Sequence, residues 1–289
     1  MVSPPSKFKT GVLGMLVADL CFSVMAILIR YGSAIPPMQL SLYRFIIGGM
    51  LVASLAMVGK ASLKFSNVLG LVWRGLIGGL SVVFYFAAIN GIGLAKSSLI
   101  NYSYPFFAII FSALFLKEKP GRLVWILLVP AFGGLALLNL PALTSGGWSW
   151  ILAIAWASAI LAGVAVTLIK RLTETDSATS IFLAQCLGGF WIMIIPANLE
   201  AAPAGWLPAL IILAVGIAAA GGQIIMTWSF KYVDVATGSL LGTIVPVLNV
   251  FAAVALFGER FAPIEAVGAA LTLGACFALV FAKGRKPSS

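Results

Sequence analysis

Two ionisable side chains sit inside otherwise apolar runs, Asp19 and Arg44, and that placement gives them chemical interest. Asp19 lies about ten residues into its run, near mid-bilayer if the run is a helix rising ~1.5 Å per residue. A lone carboxylate at that depth costs at least about 2.5 kcal/mol, so it must face the protein interior and be protonated, paired or hydrated. There it could carry a coupling proton or meet a substrate ammonium. The plainer alternatives are an ion pair with Arg44 or a neutral acid bonded to a neighbouring helix. Arg44 enters about seven residues from the end of its run, roughly 10 Å deep. It could clamp a substrate carboxylate bidentately, or it could snorkel outward or pin the second helix to the first.

The remaining candidates are uncharged. Ser98, Tyr102 and Pro105 fall at spacings of four and three, which puts them on one helical face, and Ser239, Thr243 and Pro246 repeat the arrangement. Asn101 stands beside the first set. Each proline removes a backbone donor and is expected to kink its helix in mid-span, making these two helices the gate elements. Tyr85, Trp156, Gln223 and Trp228 complete an expected substrate cavity with aromatic walls and few polar groups, which suits an organic solute with an apolar side chain. Trp73, Trp148, Trp150, Trp191 and Trp206 lie near span ends and read as interfacial anchors. Glu118 and Glu259 stand where the fifth and tenth helices begin, as charge favourable to a helix N-terminus.

Several chemistries are excluded at this stage. The chain has no histidine, which removes the usual zinc sites and Ser-His triads. It carries no Walker-type phosphate loop, and its three cysteines lie inside apolar runs with no metal-ligand spacing. No cofactor or metal is expected.

The elements that must position these residues follow from composition. Of 289 residues 62% are hydrophobic and only 9% charged, with a mean hydropathy of +1.11. Soluble domains carry roughly a quarter charged residues, so lipid must be the solvent for most of this chain. A span needs about 20 apolar residues. Ten such stretches are expected, at 11–29, 38–58, 73–92, 97–116, 122–140, 148–169, 178–197, 211–231, 236–257 and 264–282. They are continuous rather than alternating, which argues for helices and against barrel strands. The first is expected to be a retained helix, because it lacks a small-residue cleavage site and holds Asp19.

The formal net charge of +10 is a topology label. Counted by alternate loops, fourteen of the 18 basic residues, Arg74 among them, fall on one side and three on the other, with Arg44 inside a span. The positive-inside rule then places both termini in the cytoplasm, and no nucleic-acid partner is expected.

The chain also repeats itself. A shift of 141 pairs Pro105 with Pro246, Glu118 with Glu259, Gly75 with Gly216 and Ser98 with Ser239; a shift of 140 pairs Gly48-Gly49 with Gly188-Gly189. Two units of five helices, 11–141 and 148–282, explain both, with 1–10 and 283–289 as cytoplasmic tails. Because five is odd, the second unit must lie upside down relative to the first. Inverted repeats place a binding site near mid-membrane, where the halves meet, and permit alternating access. The fold class is thus an all-α membrane protein of ten transmembrane helices in two inverted five-helix repeats, both termini cytoplasmic.

The pattern of Ser, Pro, an apolar run and then Glu with a basic neighbour occurs once per half (Ser98, Pro105, Glu118-Lys119; Ser239, Pro246, Glu259-Arg260). It resembles the EamA-type members of the drug/metabolite transporter superfamily, over residues 11 to 282. Among these, the chain is similar to the bacterial aromatic amino-acid exporters. The resemblance implies a multi-pass secondary transporter of the inner membrane, not an enzyme, exporting small organic solutes such as amino acids. Movement would be coupled to a proton or driven by the solute's own gradient. The alternative within the fold is a multidrug or other metabolite carrier. A nucleotide-sugar carrier should show more mid-membrane Lys and Arg than Arg44 alone.

Overall fold

Backbone surrounded by hydrocarbon must satisfy its own hydrogen bonds, and helices do this within one segment. The computed structural model describes residues 5–92, 97, 100–138, 140, 150–199, 204–258 and 263–284. Among them the helices are α1 (Pro5–Tyr31), α2 (Pro37–Met57), α3 (Val68–Ile92), α4 (Tyr104–Phe115), α5 (Arg122–Leu138) and α6 (Trp150–Leu172). They continue with α7 (Ala178–Ala197), α8 (Trp206–Ser229), α9 (Val235–Leu241), α10 (Ile244–Phe257) and α11 (Pro263–Gly284). Among the described residues eight helical stretches are long and apolar enough to cross a membrane, with α9 and α10 together forming one of them; α4 and α5 are shorter apolar helices. The outward faces carry large apolar side chains, such as Trp191, Ile195 and Phe281, that water would not tolerate in such density.

Three local features differ from expectation. α3 starts at Val68 rather than residue 73, because Asp176 from the α6–α7 turn accepts the amides of Ser66 (2.6 Å) and Asn67 (3.3 Å) just ahead of it. Asn67 in turn accepts the Gly70 amide at 2.9 Å, closing the first turn. Arg74 therefore lies inside α3 and is only 2% exposed, so it is not a loop charge. The basic count becomes thirteen (fourteen less Arg74) against three.

The second difference concerns the prolines. The spans expected at 97–116 and 236–257 are each interrupted by a turn, at Tyr102-Ser103 and at Gly242-Thr243. Pro105 is then the second residue of α4 and Pro246 the third of α10, neither in mid-helix. In a first turn the missing N–H is no loss, since that donor has no intrahelical partner anyway. A hydroxyl covers an exposed carbonyl at each break: Ser103 Oγ donates to Ile100 O (2.6 Å) and Thr243 Oγ1 to Leu240 O (2.7 Å).

The third concerns Glu118. Lys117 adopts a left-handed backbone, φ 55°, as does Gly258, φ 65°, which stands 141 residues later. The turn at Lys117 swings Glu118 away from the helix that follows it. Its Oε2 instead accepts the Val235 amide (3.2 Å) at the start of α9.

Helix packing runs between the halves far more than within them. α1 lies on α8 as α6 lies on α3; α3 lies on α7 as α2 lies on α8; α4 meets α6 as α10 meets α1. α2–α7 and α5–α11 pair directly across the divide. Exchanging the two halves maps this set of pairs onto itself. The α3–α7 crossing is close enough that a Cβ on Gly75 would overlap the Ala184 carbonyl, and one on Gly188 the Gly75 backbone. Only glycine permits that approach, and close backbone contact is a main source of helix affinity in lipid.

Candidate functional site

A cavity of about 200 Å³ opens between helices of both halves. Its charged lining residues are Asp19 from α1, Arg44 from α2 and Arg74 from α3. Tyr85 from α3, Asn101 and Tyr102 from the α4 break, and Gln223 from α8 also line it, together with Tyr104 and Gln185. Met15, Phe22, Met25, Val166 and Met226 supply apolar wall.

Asp19 is 4% exposed, and its Oδ2 has no hydrogen-bond partner. Arg44 shares the cavity without forming an ion pair to it, and its guanidinium lies 5.2 Å from the Phe45 ring centre. Arg74 is held at one corner only: Nη2 donates to Gln185 Oε1 at 2.8 Å, while Nε and Nη1 have no partner. Gly78, one turn along α3, lies directly against the guanidinium, so that a Cβ there would collide with Nη1. Asn101 Nδ2 donates to Ser158 Oγ of α6 at 2.7 Å.

Several expected residues are placed elsewhere. Trp156 is 41% exposed on the outer face of α6, edge-on to Phe107 at 6.4 Å, and does not line the cavity. Trp228 packs against Tyr232 at 4.9 Å and borders a separate, more open depression of about 340 Å³ beside Lys60, Ser177, Thr179 and Lys231. That depression carries none of the deep polar groups, so the cavity lined by Asp19, Arg44 and Arg74 is the better site. Ser239 is buried with its Oγ unpartnered, and Thr243 is spent on Leu240 O and on Cys276 Sγ at 3.5 Å; neither lines the cavity, although Gly238 and Gly242 beside them do. Ser98 lies outside the described residues. Pro105 and Pro246 set the two breaks and are not in contact with the cavity.

Arg74, Tyr104 and Gln185 are missing from the sequence-based set. Arg74 carried a signal: once α3 is extended to its capped start, an arginine stands one turn before a glycine on the same face. Tyr104 had no such signal, because only the break turns it inward.

A second polar cluster joins the loops at one end. Asp234 caps α9 by accepting the Thr237 amide at 2.8 Å and pairs with Lys283 of α11 at 2.6 Å. Burial alone would raise the Asp234 carboxyl, but Lys283 and the Thr237 bonds outweigh it and hold the group below its ordinary range. Glu118 goes the other way: burial first, and then the nearby Asp234 charge, push it up despite Lys170 and the Val235 amide. Lys170 Nζ donates to the carbonyls of Phe230 (2.6 Å) and Val233 (2.8 Å), closing the loop after α8.

Comparison with known proteins agrees with this architecture. The EamA-like transporter family profile matches twice, over residues 9–140 and 148–281. The pseudopaline exporter CntI of Pseudomonas aeruginosa is 32% identical over 235 residues, covering 78% of this chain and 79% of that protein. The riboflavin transporter of Rhizobium johnstonii is 24% identical over 302 residues, covering 98% of this chain and 96% of that protein. A solved crystal structure shares the fold with a TM-score of 0.78 at 22% identity, covering 96% of this chain and 98% of the other. The chain is a multi-pass membrane protein and belongs to the EamA-like transporter family.

Proposed function

We propose that this protein exports small organic solutes, amino acids and aromatic ones among them, across the bacterial inner membrane. The observation that carries this reading is the cavity where Asp19 and Arg44 face the same space without an ion pair between them. An α-amino acid presents an ammonium and a carboxylate on one common carbon, and those two groups complement Asp19 and Arg44. Tyr85, Tyr102, Tyr104 and Phe22 would surround its side chain. Asp19 would also be the proton carrier if movement is coupled to a pH gradient.

Transport is by alternating access between two inverted units, 11–141 and 148–282, with ten crossings and both termini in the cytoplasm. The self-mapping set of helix pairs and the left-handed turns at Lys117 and Gly258 support this division. The basic loops support the orientation. Export, rather than uptake, draws support from the likeness to an exporter.

A second reading has its own observation. Arg74 adds a second buried cation to the cavity, which favours an anionic metabolite over a cationic drug. The deciding experiment is efflux from proteoliposomes loaded with a panel of amino acids and cationic drugs, with and without a pH gradient. Amino-acid efflux that drops by roughly tenfold in Asp19→Asn, with its pH dependence flattened, is the expected result; a tenfold change corresponds to about 1.4 kcal/mol. Efflux of drugs alone would overturn the reading.

A further inference from the structure

The amino-acid reading leaves one charged group without a role. A solute with one ammonium and one carboxylate answers Asp19 and Arg44, but it does not answer Arg74. That side chain is 2% exposed, and two of its three nitrogens have no partner. No other acid lines the cavity among the described residues. Asp19 is the single acid beside two guanidinium groups that line the same cavity among the described residues. A buried cation without compensation is strongly unfavourable, and a guanidinium edge made of Nη2 with Nε or Nη1 can receive a carboxylate in two parallel bonds, using the second Nη2 hydrogen.

Two neighbours fix the position of the Arg74 guanidinium. Gln185 holds Nη2 at 2.8 Å and so fixes the guanidinium at the cavity wall, with Nε and Nη1 left unpartnered. Gly78 leaves the space that the guanidinium occupies. Tyrosines around the cavity provide apolar surface between the charged points.

We infer that the cavity is built for a solute with one cationic nitrogen and two carboxylates, and that Arg74 receives the second carboxylate. The inference rests on the amino-acid reading above and narrows it to amino dicarboxylates, including aromatic ones. Arg44 and Arg74 come from different helices, α2 and α3, and a phosphorylated solute is the control that separates two carboxylates from one phosphate. Gln185 is a positioning residue that acts through Arg74.

The test uses the full-length protein in proteoliposomes and in detergent. Efflux of 4-carboxyphenylalanine and glutamate is compared with that of phenylalanine, glutamine and O-phosphotyrosine. Binding is read separately as the shift in melting temperature that each solute causes. The expected result is a preference of at least about tenfold for each dicarboxylate over its neutral partner, with that ratio falling toward one in Arg74→Gln. Arg74→Lys, which keeps the charge but not the fork, should retain part of the ratio and serves if Arg74→Gln does not fold. A uniform loss for every solute in both variants, an absence of preference in the wild type, or a preference for O-phosphotyrosine would overturn the inference. The two readings fail separately. Dicarboxylate-specific stabilisation without efflux defeats the transport reading alone, whereas efflux of neutral amino acids with no dicarboxylate preference defeats only this inference.

Discussion

The broken helix of the first half and the broken helix of the second are nearly the same backbone event carrying different chemistry. Each has a turn before its proline, a hydroxyl on the carbonyl three residues back, and a left-handed residue after the helix. The charges of the cavity are not doubled in this way. By the 140-residue shift Asp19 corresponds to Ala159 and Arg44 to Ala184, and by the 141-residue shift Arg74 corresponds to Val215. All the cavity's described charges therefore belong to α1, α2 and α3, while the other half contributes the amides of Gln185 and Gln223. On the proposed alternating-access mechanism, backbone geometry that would open on two sides is present twice, whereas recognition of one solute would be needed once.

That contrast can be broken or sharpened by experiment. The largest effect is expected at the α3–α7 crossing. Gly188→Leu should remove most folded protein, read as the monodisperse fraction in detergent, whereas Gly133→Ala, which faces open space, should leave it unchanged. Equal yields would show that the halves do not meet there. Next, Pro105→Ala and Pro246→Ala should behave alike, each changing stability by no more than about 1 kcal/mol because both residues occupy first turns. A severe loss in one variant only would mean that the two breaks are not equivalent.

The smallest effect concerns Glu118, whose carboxyl is shifted in the opposite direction from that of neighbouring Asp234. A carboxyl held above its ordinary 4.5 binds its proton more tightly in the folded protein, so stability falls as pH rises from that value through the raised one. Glu118→Gln cannot ionise and should therefore gain melting temperature relative to wild type as pH increases from 4 to 8, by roughly 2–4 °C. Asp234 has the opposite sign: it stabilises above its ordinary 3.8, and that contribution is lost as pH drops through its lowered value. A Glu118→Gln difference that shrinks with rising pH would show that Lys170 dominates over burial at this site.

How much of this was legible in the residues varies by position. Long apolar runs announce themselves, and α2 and α7 lie close to where hydropathy places them, whereas α1 begins at Pro5, within the stretch 1–10 expected to be a tail. The breaks at Tyr102-Ser103 and Gly242-Thr243 were not legible, since a proline in an apolar run is equally compatible with a kink and with a restart. That ambiguity hid Tyr104, and the missed cap from Asp176, 110 residues from Ser66, hid Arg74. Asp19, Arg44, Tyr85, Asn101, Tyr102 and Gln223 were found because lipid leaves a polar side chain few places to go, and all six border the cavity. Trp156 was misplaced for the converse reason: an indole is as content against acyl chains as inside a protein.

The cross-divide pairing has a consequence for how the chain is made. With α1 resting on α8, α3 on α6 and α7, and α5 on α11, the first five helices leave the ribosome with their main partners still unsynthesised. They must wait in the bilayer as loosely associated spans, and the molecule acquires its shape only when the later helices insert among them. Severed fragments ending near residue 141 would then be inert apart but competent when co-expressed, a duplex of polypeptide pieces rather than two autonomous domains.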